Sequence, residues 1–90
     1  MLKLNLTSQF KRDLKLCQKR NYNISLLNAI VDTLRIPAPL PPKNKDHSLI
    51  GNYAGRRECQ ISPDRLLIYR VNRDELYLDH TGTHADLFGI

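Results

Sequence analysis

No run of apolar side chains comes near the roughly 20 residues that a membrane-spanning helix requires. The first residues, Met1-Leu2-Lys3-Leu4-Asn5-Leu6, lack the apolar stretch and small-residue cleavage site of a secretory leader, so a cytoplasmic protein is expected. Cysteine is scarce. Cys17 and Cys59 stand far apart, without CxxC or Cys/His ligand spacing, which argues against a structural zinc site and a disulfide scaffold. Buried free thiols in a reducing compartment are the plain reading. There is also no glycine-rich phosphate loop, no GxSxG, no HExxH and no EF-hand pattern. Lys and Arg are absent from Asp74 onward, and Asp13 is the single acid before Asn21.

What is present is one domain's worth of chain. Ninety residues, 41% hydrophobic and 26% charged, suit a single globular unit over residues 1–90 and argue against disorder. The formal charge is +5 and the pI about 9.5. Lys3, Lys11, Arg12, Lys15, Lys19 and Arg20 crowd the start, while four acids lie between Asp74 and Ile90. Such a gradient fits a polyanion docking on one side; a solvated helix face is the alternative.

Leu2, Leu4 and Leu6 alternate with Lys3 and Asn5, the period of a half-buried strand. Thr7-Ser8 can cap a helix over 9–20, with Phe10, Leu14 and Cys17 on one face. Lys11, Arg12, Lys15 and Lys19 line the adjacent face. After a break at Asn21-Tyr22-Asn23, the stripe Ile24, Leu27, Ile30, Val31, Leu34 predicts a second helix, paired with the first as a hairpin. The four prolines between Ile36 and Pro42 make a stiff connector. Lys43 to Gly55 reads as loop. Strands are predicted over 57–61, 65–71 and 75–80, the middle one buried on both faces. In the last, Leu76 and Leu78 are expected inward, with Tyr77 and Asp79 outward. Thr81-Gly82-Thr83 should end it, and 84–88 should form a helical turn. The expected fold is α+β: a strand and a two-helix hairpin packed on a small twisted antiparallel sheet, in the order β-α-α-β-β-β, with a site at the sheet's open face.

Candidate chemistry rests on the three histidines, His47, His80 and His84, all in loops or at strand ends. Metal binding is not expected: His80 and His84 are four apart, but Gly82 and the change from strand to loop keep them off one helical face. Histidine can move protons near neutrality, and in a small basic protein RNA is the natural substrate. Attack of a ribose 2′-OH on the adjacent phosphorus needs a base, an acid and cations, and neither metal nor cofactor. His84, His47 or Asp64 could move the protons, and Arg56 and Arg57 could hold the charge. Surface histidines of a binding protein are the competing reading.

Four segments sharpen this picture. Lys45-Asp46-His47-Ser48-Leu49-Ile50-Gly51, Gly55-Arg56-Arg57-Glu58-Cys59, Ser62-Pro63-Asp64 with Leu66-Leu67-Ile68-Tyr69, and Thr81-Gly82-Thr83-His84-Ala85-Asp86-Leu87-Phe88 occur in the order and spacing of one family. Together they resemble the YafQ branch of the RelE/ParE toxin superfamily across nearly the whole chain. The resemblance implies a bacterial type II toxin, an mRNA interferase cutting messages on the ribosome. It also implies inhibition by a cognate antitoxin of the RelB/DinJ type with a ribbon-helix-helix start. It assigns a general-acid role to His84 and functional roles to His47 and Asp64, either of which could assist the 2′-OH. It makes Arg57 a phosphate clamp and Phe88 a base-stacking residue. Lys11, Arg12, Lys15 and Lys19 would then dock on ribosomal RNA.

Three positions depart from the family pattern. Gln60 stands where close relatives have histidine, Arg65 where they have tryptophan, and His80 where they have arginine. Gln60 can hydrogen-bond a phosphate or ribose but cannot shuttle a proton. His80 replaces a permanent cation only when protonated, so charge stabilisation shifts toward Arg57 and Arg65. Two other functions remain open from sequence: a ParE-like inhibitor of DNA gyrase, and an RNA- or protein-binding module in which Gln60 marks lost catalysis.

Overall fold

The computed structural model describes residues 1–89; Ile90, the last residue of the expected unit, lies outside them. The chain runs β1 (Lys3–Leu6), α1 (Ser8–Lys19), α2 (Ile24–Arg35), β2 (His47–Ser48), β3 (Arg57–Ser62), β4 (Arg65–Asn72), β5 (Glu75–Thr83) and α3 (His84–Phe88). Short 3-10 turns at Pro42–Asn44 and Gly51–Tyr53 flank β2. The five strands form one sheet in the order β1-β5-β4-β3-β2. It is antiparallel from β2 to β5, as expected, while β1 joins β5 in parallel.

Local chemistry explains both long helices. The Thr7 side chain accepts the Phe10 N–H at 3.1 Å and opens α1. Asn23 accepts the Ser25 N–H at 3.0 Å and opens α2. Between them Asn21 takes a left-handed conformation (φ 59°), which asparagine tolerates better than most residues, and the chain reverses. Phe10 of α1 and Leu27, Ile30, Val31 and Leu34 of α2 share a core with Cys59, Ile61, Leu67, Tyr69, Leu76 and Leu78 of the sheet. Both helices therefore cover the same side of the sheet. Burial raises the Cys17 thiol's pKa and pushes that of Cys59 up to about 12, so both stay protonated and inert.

Each border of the sheet is half strand and half side chain. β1 pairs with β5 only as far as Leu78. Beyond it α1 takes over, and Asp13 Oδ2 accepts the Thr81 N–H at 3.1 Å. At the opposite border β2 pairs only with Arg57 and Glu58. Asn44 Nδ2 then donates to the Gln60 carbonyl at 2.7 Å.

Several expectations need correction. The Thr81-Gly82-Thr83 segment does not end the strand; β5 continues through it, paired with Leu67, Leu66 and Arg65. Asp79 does not face solvent but is 5% exposed. The pairing passes from Tyr69–Leu78 to Ile68–His80, leaving Asp79 as the extra residue of a bulge, covered by two arginines. Arg56 Nε at 2.9 Å and Arg70 Nε at 3.1 Å neutralise it there. Val71 was expected in a buried strand and is 52% exposed, near the β4–β5 turn. The 43–55 loop contains β2, too short to show any alternation.

Candidate active site

Strand pairing sets the site's geometry. His47 lies opposite Glu58, Glu58 opposite Ile68, and Ile68 opposite His80, so this row of side chains shares one sheet face. With strands about 4.8 Å apart, the row spans roughly 15 Å. Cys59, Leu67, Tyr69 and Leu78, which alternate with it, point into the helix-side core. The histidines thus occupy the side away from the helices. That side is less open than expected: Leu66 and Ile68, which lie on it, are fully buried.

Beside the row the chain assembles an aromatic patch. Tyr53 meets His80 edge-on at 5.6 Å between ring centroids and Phe88 at 5.9 Å. The rings of Phe88 and His84 are 6.5 Å apart. His84 is the first residue of α3, and its Nδ1 lies 3.0 Å from Asp64 Oδ1 in the β3–β4 turn. Their side chains are 40% and 73% exposed. A carboxylate can only accept, so Nδ1 carries the hydrogen and the proton to be donated or taken sits on Nε2.

His47 is arranged in the same sense. Its Nδ1 is 2.7 Å from the Lys45 carbonyl, which has no proton to give, so the neutral ring keeps its lone pair on Nε2. Glu58 Oε1 is 3.6 Å from that Nε2. His80 Nδ1 lies 3.6 Å from Asp13 Oδ2, the carboxylate that also caps Thr81.

The arginines separate into two groups. Arg56 and Arg70 meet on Asp79, each through Nε; among the described residues their terminal nitrogens make no hydrogen bond. Arg70 also lies 4.0 Å from the Tyr77 ring centroid. Arg57 is one step out of phase with the histidine row: it pairs with Ser48 and Tyr69 and donates to Asp46 Oδ1 at 3.2 Å and Ser48 Oγ at 2.8 Å. Tyr69 donates to the same Asp46 oxygen at 2.7 Å. Burial and that carboxylate both push the tyrosine hydroxyl's pKa upward, so it remains a donor. Arg65 donates to the Asn23 carbonyl at 3.2 Å and lies 4.6 Å from the Tyr22 ring centroid.

The structure therefore gathers His84, Asp64, Phe88 and His80, with His47 at the far end of the His80 row. It does not bring Arg57 or Arg65 to that face. Gln60 pairs with Leu66 on the histidine side and is half-buried. Lys11, Arg12, Lys15 and Lys19 are all exposed on α1. Sequence reading missed Tyr53, Glu58 and Arg70. Glu58 had one weak signal, an acid beside Cys59 in a strand also holding Ile61. Tyr53 had none, because it lies in a loop. Among the described residues no three His, Cys, Asp or Glu side chains cluster as ligands for a metal ion.

Comparison with known proteins decides the family. The sequence profile of the bacterial toxin of type II toxin-antitoxin system, YafQ, matches residues 2–89. The chain belongs to the YafQ toxin family. The mRNA interferase toxin YafQ of Escherichia coli strain K12 is 38% identical over 87 residues, covering 96% of this chain and 95% of the relative. Among solved structures, a copper-bound mutant toxin from Helicobacter pylori superposes with a TM-score of 0.93 at 43% identity, covering 98% of this chain and 100% of that one. A chain of the E. coli DinJ-YafQ toxin-antitoxin complex gives 0.89 at 37% identity, covering 98% of both. The YafQ resemblance and the α+β fold read from sequence both hold.

Proposed function

We propose that this chain is the toxin of a type II pair and acts as an endoribonuclease on translated mRNA. The observation that carries the reading is the His84–Asp64 contact of 3.0 Å beside the Tyr53–Phe88 patch. As an imidazolium, His84 holds one hydrogen on Asp64 and offers the other, on Nε2, to the departing 5′-oxygen. His47, with its neutral lone pair on Nε2, takes the 2′-OH proton. Base and acid must act on opposite sides of phosphorus in an in-line displacement. His47 lies on the edge strand β2, and His84 follows the end of β5 beside the β3–β4 turn. The products are a 2′,3′-cyclic phosphate and a 5′-hydroxyl. This assigns Asp64, left open with His47 as the base, to orienting His84.

Charge on the phosphorane falls to groups on the histidine face: Arg56 with Arg70, whose terminal nitrogens make no hydrogen bond among the described residues, His80 when protonated, and Gln60 as a neutral donor. Phe88 and Tyr53 supply flat surfaces for a base. The exposed Lys11, Arg12, Lys15 and Lys19 dock the toxin on ribosomal RNA, and a DinJ-type antitoxin holds it inactive, as DinJ pairs with YafQ in the E. coli complex. Arg57, bonded to Asp46 and Ser48, has a supporting part in this scheme. No helix among the described residues is long and apolar enough to cross a membrane.

The decisive experiment is primer extension on a defined message in cells expressing the chain. New 5′ ends should arise with the wild type and vanish with His84→Ala at equal abundance and unchanged thermal stability. Unaltered cleavage by that variant would overturn the acid assignment. Absence of cleavage by the wild type, with gyrase supercoiling inhibited instead, would overturn the nuclease.

A further inference from the structure

Among the described residues α3 has five, too few to hold a helix in water without help. Its first turn is closed by a reciprocal cap: the Asp86 N–H donates to Thr83 Oγ1 at 3.1 Å, and the Thr83 N–H donates to Asp86 Oδ2 at 3.0 Å. The same carboxylate is gripped from outside. Arg20, at the end of α1, donates from Nη1 to Oδ2 at 2.7 Å and from Nη2 to Oδ1 at 3.2 Å, a two-point fork. A Cβ on Gly82 would stand 2.9 Å from Asp86 Oδ2, so the backbone beneath leaves room for this arrangement and no more. The first residue of the turn so fixed is His84.

The other half of the pair is tied to the same place. Asp64 is followed directly by Arg65, whose guanidinium donates to the Asn23 carbonyl and lies 4.6 Å from the Tyr22 ring. Arg20 lies 5.9 Å from that ring and donates to its hydroxyl at 3.4 Å. One aromatic side chain in the turn between α1 and α2 thus neighbours both arginines. One of them reaches His84 through α3, and the other reaches Asp64 through the β3–β4 turn.

We propose that the α1–α2 turn, Arg20 to Asn23, is the common anchor that holds His84 and Asp64 in register, with Arg20 and Arg65 as positioning residues. The catalytic consequence rests on the nuclease reading above; the anchoring does not. The turn sets the distance between two groups that are 20 residues apart in sequence and both reached by solvent. Catalytic geometry tolerates errors of about half an ångström, so small contacts at the anchor matter more to rate than to folding. Arg20 also ends a basic helix, where a direct phosphate contact is the natural competing explanation. Both of its terminal nitrogens are already used on Asp86.

The test uses the full chain with Arg20→Ala, Arg20→Lys and Tyr22→Phe. Cleavage of a defined message on programmed ribosomes gives kcat and KM, and the nuclear Overhauser contact between the His84 and Phe88 rings in the free protein reports α3. Arg20→Ala should lower kcat about 10- to 100-fold with KM within about twofold, and weaken the ring contact. Arg20→Lys, which keeps charge but loses the fork, should fall between; it carries the test if the alanine variant does not fold. Tyr22→Phe, which keeps the ring, should stay near wild type. An unchanged ring contact in both Arg20 variants would overturn the anchor whatever the activity. A raised KM at constant kcat would overturn it in favour of direct RNA binding. If the wild type leaves the message intact while Arg20→Ala loses the ring contact, the anchor is supported and only the nuclease reading falls.

Discussion

Replacing Asp64 by Asn removes a charge and keeps an acceptor for His84 Nδ1, so it isolates the electrostatic share of the contact. At 3.0 Å, a full negative charge facing an imidazolium is worth about 1.4 kcal/mol at the dielectric of water, and several times that in a dry site. Asp64 is 73% exposed and His84 40%, so the wet limit applies. The cost in kcat is therefore about tenfold, since 1.36 kcal/mol on the barrier is one decade. Asp64→Ala also frees the ring to rotate and should lose up to about 100-fold. The assay is single-turnover cleavage of a message on programmed ribosomes, with thermal melting to check the fold. Activity equal to wild type would show that the carboxylate neither charges nor orients the ring. A loss beyond about 1,000-fold from Asn alone would show that Asp64 itself moves a proton, and the base assigned to His47 would be wrong.

His47→Ala should cost about 10²- to 10⁴-fold in kcat with little change in stability, measured by the same assay; a loss under fivefold would remove it as base. Converting Lys11, Arg12 and Lys15 to Glu should weaken cosedimentation with ribosomes, more so as salt rises; unchanged sedimentation would end the docking role of α1. Arg56→Gln with Arg70→Gln strands the Asp79 carboxylate, 6% exposed, without a counter-charge, and should cost about 3–5 kcal/mol in urea unfolding, while either single change costs far less. Asp86 has its carboxyl pKa lowered from 3.8 to about 2, first by Arg20 and then by the Thr83 N–H. A depressed folded value means the stabilisation is complete above pH 3.8 and is lost as pH falls toward 2. Allowing for solvent around Arg20, Asp86→Ala should cost about 1–2 kcal/mol at pH 7, a difference from wild type that shrinks near pH 2.

The helices were legible because each carries a cap, Thr7 or Asn23, ahead of an unbroken apolar stripe. The four family segments placed His84, Asp64, His47 and Phe88, yet no spacing rule joins His84 to Asp64, since that contact is made by the ends of different elements. Alternation failed past Asp79 because it assumes a regular register, and a bulge shifts every inward position after it, while Asp79 itself is buried by Arg56 and Arg70. The phase of Arg57 was hidden for a related reason. A two-residue strand, β2, decides which of Arg57 and Glu58 faces His47, and a strand that short leaves no periodic trace. Arg65 looked like a free cation because its partners, Tyr22 and Asn23, sit in a turn more than 40 residues away.

The two flanks of the sheet carry a consequence of their own. Where β1 stops, Asp13 takes the peptide hydrogen of Thr81, and where β2 stops, Asn44 takes the peptide oxygen of Gln60. At the tip of β1, Leu2 exchanges peptide and guanidinium bonds with Arg35. Each margin therefore offers only a short strand, four residues in β1 and two in β2, for a stray extended segment to zip onto. Short margins of this kind give copies of the molecule that meet in a crowded cell a poor template for growing into a fibre.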